Sequence, residues 1–171
     1  MPDAIVLTRH RDLASHGYQV AMRRLLLGLV GVFLLAALAN VFGQRPSIAA
    51  AATDAATLSV YAPAHVRGGL LNMARFRIDA HRELKDAVLV LDSGWFESMQ
   101  VNTIEPSPVA EASRSGKLSF DLGPIPAGEH HTLYMEFQVD PTNVGRRSQA
   151  VELLDGDTPI LRIPRTVTIF P

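Results

Sequence analysis

One long apolar stretch near the N-terminus constrains this chain more than any other feature. Residues 25–42 read LLLGLVGVFLLAALANVF and carry no charged side chain. In a helix that rises about 1.5 Å per residue, about 18 residues span roughly 27 Å, close to the thickness of a bilayer's hydrocarbon core. The sequence therefore predicts a transmembrane helix over residues 25–43, preceded by a tail of residues 1–24 and followed by a linker of residues 44–56.

The basic residues around this stretch predict its orientation. Only Arg45 follows the stretch closely, whereas four arginines precede it: Arg9, Arg11, Arg23 and Arg24. Cytoplasmic flanks of membrane helices hold the excess of Lys and Arg. We therefore expect a single-pass protein of the cell membrane, with a cytoplasmic N-terminus and an extracytoplasmic domain over residues 57–171.

A cleaved signal peptide is the alternative interpretation. Ala37-Leu38-Ala39 resembles a cleavage site. The apolar stretch, however, is longer than the ~7–15 residues of an ordinary signal-peptide core. Both interpretations place the main domain outside the cytoplasm.

Composition narrows the chemistry of that domain. The chain contains no cysteine, which excludes disulfides, thiolate metal sites and thiol nucleophiles. Its 16 Lys and Arg nearly balance its 17 Asp and Glu, and no basic patch is interleaved with aromatic residues. We therefore expect no binding of nucleic acid.

From residue 57 onward, apolar and polar residues alternate with a period of two. The alternation is clearest over residues 133–139 and 74–80, as in strands with one buried face. Seven to eight such strands, with one short helical turn near residues 108–113, predict an all-β antiparallel β-sandwich. Asp155-Gly156 predicts a hairpin turn, and Pro164 predicts an edge or a bulge in the last strand.

Residues 118–139, LSFDLGPIPAGEHHTLYMEFQV, resemble bacterial extracytoplasmic immunoglobulin-like modules. The matching residues in this segment are Leu122, Gly123, Ile125, Gly128 and Glu129, and an earlier strand matches at Asn72, Ala74, Phe76 and Ile78. The resemblance implies an immunoglobulin-like sandwich and a role in adhesion, envelope organisation or support of a larger complex. It transfers no functional residue, because function inferred from a shared fold is analogy.

The segment Asp92-Ser93-Gly94-Trp95-Phe96 offers the strongest candidate binding residues. One interpretation is a turn in which Trp95 or Phe96 covers the core. The other is an exposed aromatic pair that binds a protein partner or a sugar. Ser93 lacks the motif of a catalytic serine, so we predict no catalytic residue.

Arg146 and Arg147 are a second candidate contact. They are interpreted as a solvated hairpin tip, or as a contact to lipid headgroups or to an acidic partner. His130 and His131 are adjacent and would face opposite sides of a strand, so they are not expected to share a metal ion. The aspartates around Gly156 supply too few oxygens for calcium, and we predict neither metal nor cofactor.

These features predict a non-enzymatic accessory or interaction subunit of the bacterial cell envelope. The sandwich would dock onto another membrane or surface protein while the helix lies in the lipid bilayer. The alternative is an exported module that binds a glycan or small ligand through Trp95, Phe96 and Tyr61.

Overall fold

A computed structural model describes residues 17–39, 41 and 46–171. The chain divides into two compact units, Met1–Gly43 and Gln44–Pro171. The first contains helix α1, Gly17–Leu38. Its residues Tyr18–Leu38 are long and apolar enough to cross a membrane, a property that signal sequences share.

Helix α1 begins before the predicted apolar stretch. It includes Gly17–Arg24, which was assigned to the tail, because no proline or strand-forming run interrupts the segment before Leu25. The predicted tail is therefore helical in its last turns. Residues 1–16, 40 and 42–45, which belong to the predicted tail, helix and linker, lie outside the described residues.

The second unit is built from thirteen strands in its described part. Their bounds are β1 Pro46–Ala52, β2 Ala56–Pro63, β3 His65–Arg67, β4 Leu71–Ala80, β5 Ala87–Leu91, β6 Met99–Glu105, β7 Ala110–Arg114, β8 Lys117–Asp121, β9 His130–Val139, β10 Gly145–Ser148, β11 Val151–Asp155, β12 Thr158–Ile163 and β13 Thr166–Phe170.

These strands form three sheets. The first has the order β1-β2-β4-β9-β6, the second β12-β11-β5-β8-β7, and the third β10-β13-β3. Every pair is antiparallel except β13 with β3. The predicted all-β, immunoglobulin-like sandwich with one apolar helix is thus confirmed, although the described part has thirteen strands where seven to eight were expected.

Two local predictions were wrong. The segment interpreted as a linker contains strand β1, which pairs with β2 from Pro46↔Pro63 to Ala52↔Thr57. Residues 110–114 form strand β7 and pair with β8, where a helical turn was expected. Alanine-rich sequence is poor in strand signal, so pairing with a neighbouring strand decides both conformations.

The last two sheets are joined by one bent ribbon of residues 145–170. The register of β10 with β13 ends at Ser148↔Thr166, and that of β11 with β12 begins at Val151↔Ile163. Between them the backbone N–H of Gln149 donates to the backbone carbonyl of Arg165 at 2.8 Å. Pro164 has no N–H to offer, so it divides the predicted final strand at this bend.

Alternate residues of every long strand build one core between the sheets. In β4, for example, Ala74, Phe76 and Ile78 are buried while the residues between them face outward. Trp95, in the 3₁₀ turn after β5, is fully buried at the centre of this core. Its ring meets Phe76 and Phe137 edge to face, with centroids 5.2 and 6.0 Å away.

A buried polar cluster ties the bend of the ribbon to the first sheet. Arg165 is only 8% exposed, and its guanidinium lies 5.3 Å from the centre of the Trp95 ring. It donates to the Gln149 side-chain oxygen and to the carbonyls of Ala62 and Pro63 at the end of β2. The Trp95 Nε1 donates to the Gln149 carbonyl at 3.1 Å.

Burial lowers the pKa of Arg165 to about 10, so the side chain remains charged at neutral pH. Among the described residues no carboxylate forms an ion pair with it. Its charge is therefore stabilised by carbonyl dipoles and an aromatic face, which makes its hydrogen bonds hard to replace.

Replacing Trp95 with Ala should lower the free energy of unfolding by about 3–5 kcal/mol, because it opens a cavity against two aromatic rings. Urea denaturation of the full chain in detergent, followed by circular dichroism, measures this. The matched exposed variant, Tyr134→Ala, should change it by no more than about 0.5 kcal/mol. Equal effects of the two variants would contradict the central position of Trp95.

Replacing Arg165 with Met should cost about 2–4 kcal/mol, since the Ala62 and Pro63 carbonyls and the Gln149 side chain would lose a buried donor. Arg165→Lys keeps the charge but not the planar fork, and should be destabilised as well. The same denaturation measurement applies. A Met variant as stable as the parent would show that the cluster is not needed for folding.

Candidate interaction face

The outward side of the first sheet carries an uninterrupted row of large side chains. Strand register places Ile48 of β1, Tyr61 of β2, Arg75 of β4, Tyr134 of β9 and Glu105 of β6 side by side. All five are exposed. With neighbouring strands about 4.8 Å apart, the row extends across roughly 19 Å.

Two further apolar residues extend this surface along β4. Leu71 and Met73 are 55% and 54% exposed. They have the same outward parity as Arg75, because successive residues of a strand face opposite sides. We call the surface formed by Ile48, Tyr61, Leu71, Met73, Arg75 and Tyr134 the outer face. Its composition of Tyr, Met and Arg with aliphatic residues is typical of the centres of protein interfaces.

Two arginines on this surface differ in their partners. The Arg75 guanidinium lies over the Tyr61 ring, 5.1 Å from its centroid, and no carboxylate of the described residues forms an ion pair with it. Arg77, two residues on, donates from both Nε and Nη2 to Asp79, at 2.8 Å for the shortest bond. The bond to Arg77 lowers the pKa of Asp79.

The consequence is a cation held in place but not neutralised. Stacking on Tyr61 restricts the Arg75 side chain while leaving its N–H groups to donate elsewhere. Tyr61, Tyr134 and Met73 lie beside it on the sheet. The outer face can therefore accept a complementary surface that contributes a carboxylate and apolar contacts.

The outward side of the second sheet is chemically different. Half-buried Val88, Val90 and Leu154 line a groove of about 560 Å³. At one end the charged groups pair with one another: Lys117 with Glu152 at 2.8 Å and with Asp92 at 3.4 Å, and Arg162 with Glu152 at 3.3 Å. These ion pairs neutralise the charges at that end, whereas Asp86 and Asp157, which also line the groove, form no ion pair with any described residue.

The structure separates the four predicted binding residues. Trp95 is buried, so its ring cannot meet a partner and the core interpretation is correct for it. Phe96 is half-buried and lies 6.5 Å from Phe120, ring centre to ring centre. Arg146 and Arg147 belong to strand β10 and not to a hairpin tip, since both pair with β13.

Only one of these two arginines is free to reach outward. The Arg147 Nη2 donates to the Asn143 side chain at 3.3 Å, and Asn143 is itself buried. Arg146 is exposed. Neither of them, nor Phe96, belongs to the outer face, so the four residues do not form one site.

His130 and His131 face opposite sides of β9, as the alternation of burial along the strand requires. Among the described residues there is no group of three or more side chains arranged to hold a metal ion. Asp155 instead accepts from the backbone N–H of Asp86 at 2.9 Å, next to a turn in which Gly156 has a φ of 58°. The predicted hairpin is therefore present between β11 and β12.

Burial lowers the pKa of His131, whose Nε2 has no hydrogen-bond partner in the described part of the chain. The unfolded chain then binds a proton at this position more readily than the folded one. Stability should thus fall as the pH is lowered below about 6.5, the ordinary histidine value. Denaturation between pH 7 and 5 should show that His131→Asn has a shallower loss than the parent. An unchanged slope would contradict this.

No family model and no curated protein matches this chain. Among solved structures it is similar to a non-cellulosomal cohesin from Archaeoglobus fulgidus, with 15% identity, a TM-score of 0.40, and coverage of 74% of this chain and 92% of that one. It is also similar to part of the Pseudomonas fluorescens alkylpurine DNA glycosylase AlkC, with 15% identity, a TM-score of 0.36, and coverage of 64% and 28%.

A third similarity is to a β-glucosidase from Listeria innocua, with 13% identity, a TM-score of 0.35, and coverage of 75% of this chain and 16% of that one. At TM-scores this low, none of these similarities bears on activity or partners. The functional argument therefore depends on the surface of this chain.

Proposed function

We propose that this protein is a membrane-anchored, non-enzymatic interaction subunit of the bacterial cell envelope. Helix α1 serves as the anchor, with its arginine-rich N-terminal side in the cytoplasm. The β-sandwich lies on the extracytoplasmic side and docks onto another membrane or surface protein through its outer face.

The observation that supports this most directly is the unpaired Arg75 between Tyr61 and Tyr134. Tyr and Arg are the residue types that contribute most at protein interfaces, especially when apolar contacts exclude water around them. The exposed Leu71 and Met73 can supply such contacts. A partner with a carboxylate within an apolar surface would complement this arrangement.

The alternative of a glycan-binding module has less support. It is centred on Trp95, Phe96 and Tyr61. The Trp95 ring lies in the core and is held there by its bond to Gln149, and Phe96 is half-buried against Phe120. Tyr61 is engaged by Arg75. An accessible aromatic platform for sugar stacking would need at least one of these rings to be free.

Site-specific photocross-linking in the membranes of the native host tests the proposal. A benzophenone amino acid at Met73 or Tyr134 should yield one discrete protein adduct. The same group at Ser119, on the outward side of the second sheet, should not. Adducts of equal yield from both sheets, or adducts to lipid alone, would contradict docking through the outer face.

A matched pair of charge changes tests the role of Arg75. Arg75→Glu should reduce the Met73 adduct at least ~10-fold, because it places a like charge against the partner's carboxylate. Arg77→Gln, on the same strand and side, should reduce it less than ~3-fold, since Asp79 already neutralises Arg77. Equal losses in the two variants would mean that Arg75 has no special part in docking.

A further inference from the structure

Strand β1 has one side without a partner. It pairs with β2 along all seven of its residues. Strand β12 of the second sheet lies close to β1, but no backbone hydrogen bond joins β1 to it or to any described residue outside β2. The N–H and C=O groups on the side away from β2 are those of an edge strand, which is a ready template for a further strand.

The other sheet edges carry features that block such pairing. Strand β6 has an irregular register between Val101 and Thr103, β12 contains Pro159, and β7 is five residues long with two charged residues in its sequence AEASR. Strands β3 and β10 are only three and four residues long, and β10 carries two arginines. Short length, proline, bulges and charge are the ordinary protections of an edge.

Apart from Pro46 at its first position, strand β1 lacks these protections. After Pro46 it reads Ser-Ile-Ala-Ala-Ala-Ala, with no charge, and its register with β2 has no bulge. Ile48, its one large side chain, is 71% exposed on the outward side. Alanine favours strands poorly, so a second ladder of hydrogen bonds would add much to a strand of this composition.

We propose that β1 pairs antiparallel with β1 of a second copy of this chain, about a two-fold axis perpendicular to the sheet. The first sheets of the two copies would then form one sheet of ten strands. The pairing depends on the edge of the sheet and not on Arg75. Ile48 belongs both to this edge and to the outer face, so the Ala50→Lys variant, which changes no residue of the outer face, distinguishes the two proposals.

The occupant is a second copy because this edge complements itself. In a two-fold contact each residue faces residues of the same segment, and a charged edge would place like charges together. An uncharged edge of small residues has no such repulsion, and its alanines do not obstruct close approach. Ile48 of each copy would cover alanine side chains of the other.

The absence of cysteine from the chain allows a direct geometric test. Single cysteines are introduced from Ser47 to Ala51 in the full chain, reconstituted in phosphatidylcholine vesicles and oxidised. For each position by which a residue lies away from the two-fold axis, its two copies move about 6.7 Å further apart along the strands. A disulfide needs Cα atoms within about 7 Å of each other. Only one position, or two adjacent positions, should therefore cross-link. The product should have twice the 18.6 kDa chain mass.

Charge at the edge should abolish the pairing. Ile48→Lys and Ala50→Lys change exposed side chains, so the circular dichroism spectrum should stay that of the parent. Light scattering in detergent should give a parent dimer, with at least ~10-fold weaker association in both variants. Gln100→Lys, on the opposite edge of the same sheet, should leave the dimer intact.

Three results would overturn the proposal. The first is a monomeric parent at all concentrations. The second is cross-linking of equal yield at every β1 position, or a dimer that persists in both lysine variants, as association through α1 alone would give. The third is a cross-linked product with a different protein in native membranes and none between copies, which would assign the edge to another partner.

Discussion

The fold depends on a buried cation held without a carboxylate. Arg165 connects three parts of the sandwich: the bend of the 145–170 ribbon, the turn that carries Trp95, and the end of β2. Removing a guanidinium from water is unfavourable, so the arrangement is stable only while every neighbouring acceptor stays in position. These contacts hold the bend of the ribbon against the end of β2 and against the Trp95 ring.

That fixed core leaves the two outward surfaces to differ. On the second sheet, Lys117, Arg162, Glu152 and Asp92 satisfy one another's charges. On the first sheet, Arg75 is oriented by Tyr61 and forms no ion pair with the described residues. Since only the inward residues contribute to the core, the outward residues of β4 and β9 are free to serve a contact. The asymmetry between the two surfaces supports the proposed role of the outer face.

The sequence patterns predicted the features that depend on neighbouring residues along the chain, namely strands and turns. The period of two over residues 74–80 and 133–139 belongs to β4 and β9, and Asp155-Gly156 forms the expected hairpin turn. The same parity already placed Leu71 and Met73 on the outward side with Arg75. The sequence signal for part of the outer face was therefore present, although it was not interpreted as a site.

What the sequence could not provide was the alignment between strands. The row from Ile48 to Glu105 exists because five strands meet in one register, and no single segment encodes that. Trp95 lies in a 3₁₀ turn without periodicity, so its burial depends on Phe76 and Phe137 from distant strands. Strand β1 was not predicted because a run of alanines resembles a spacer.

That alanine run also bears on maturation of the protein. Small residues following an apolar helix are the kind of sequence that leader peptidases recognise, yet here residues 49–52 are hydrogen-bonded into a sheet. A cut within them would remove the edge strand of the sheet and expose β2. The Thr, Val and Tyr residues of β2 have a higher propensity for strand pairing than alanine. Folding of β1 onto β2 therefore keeps β2 covered.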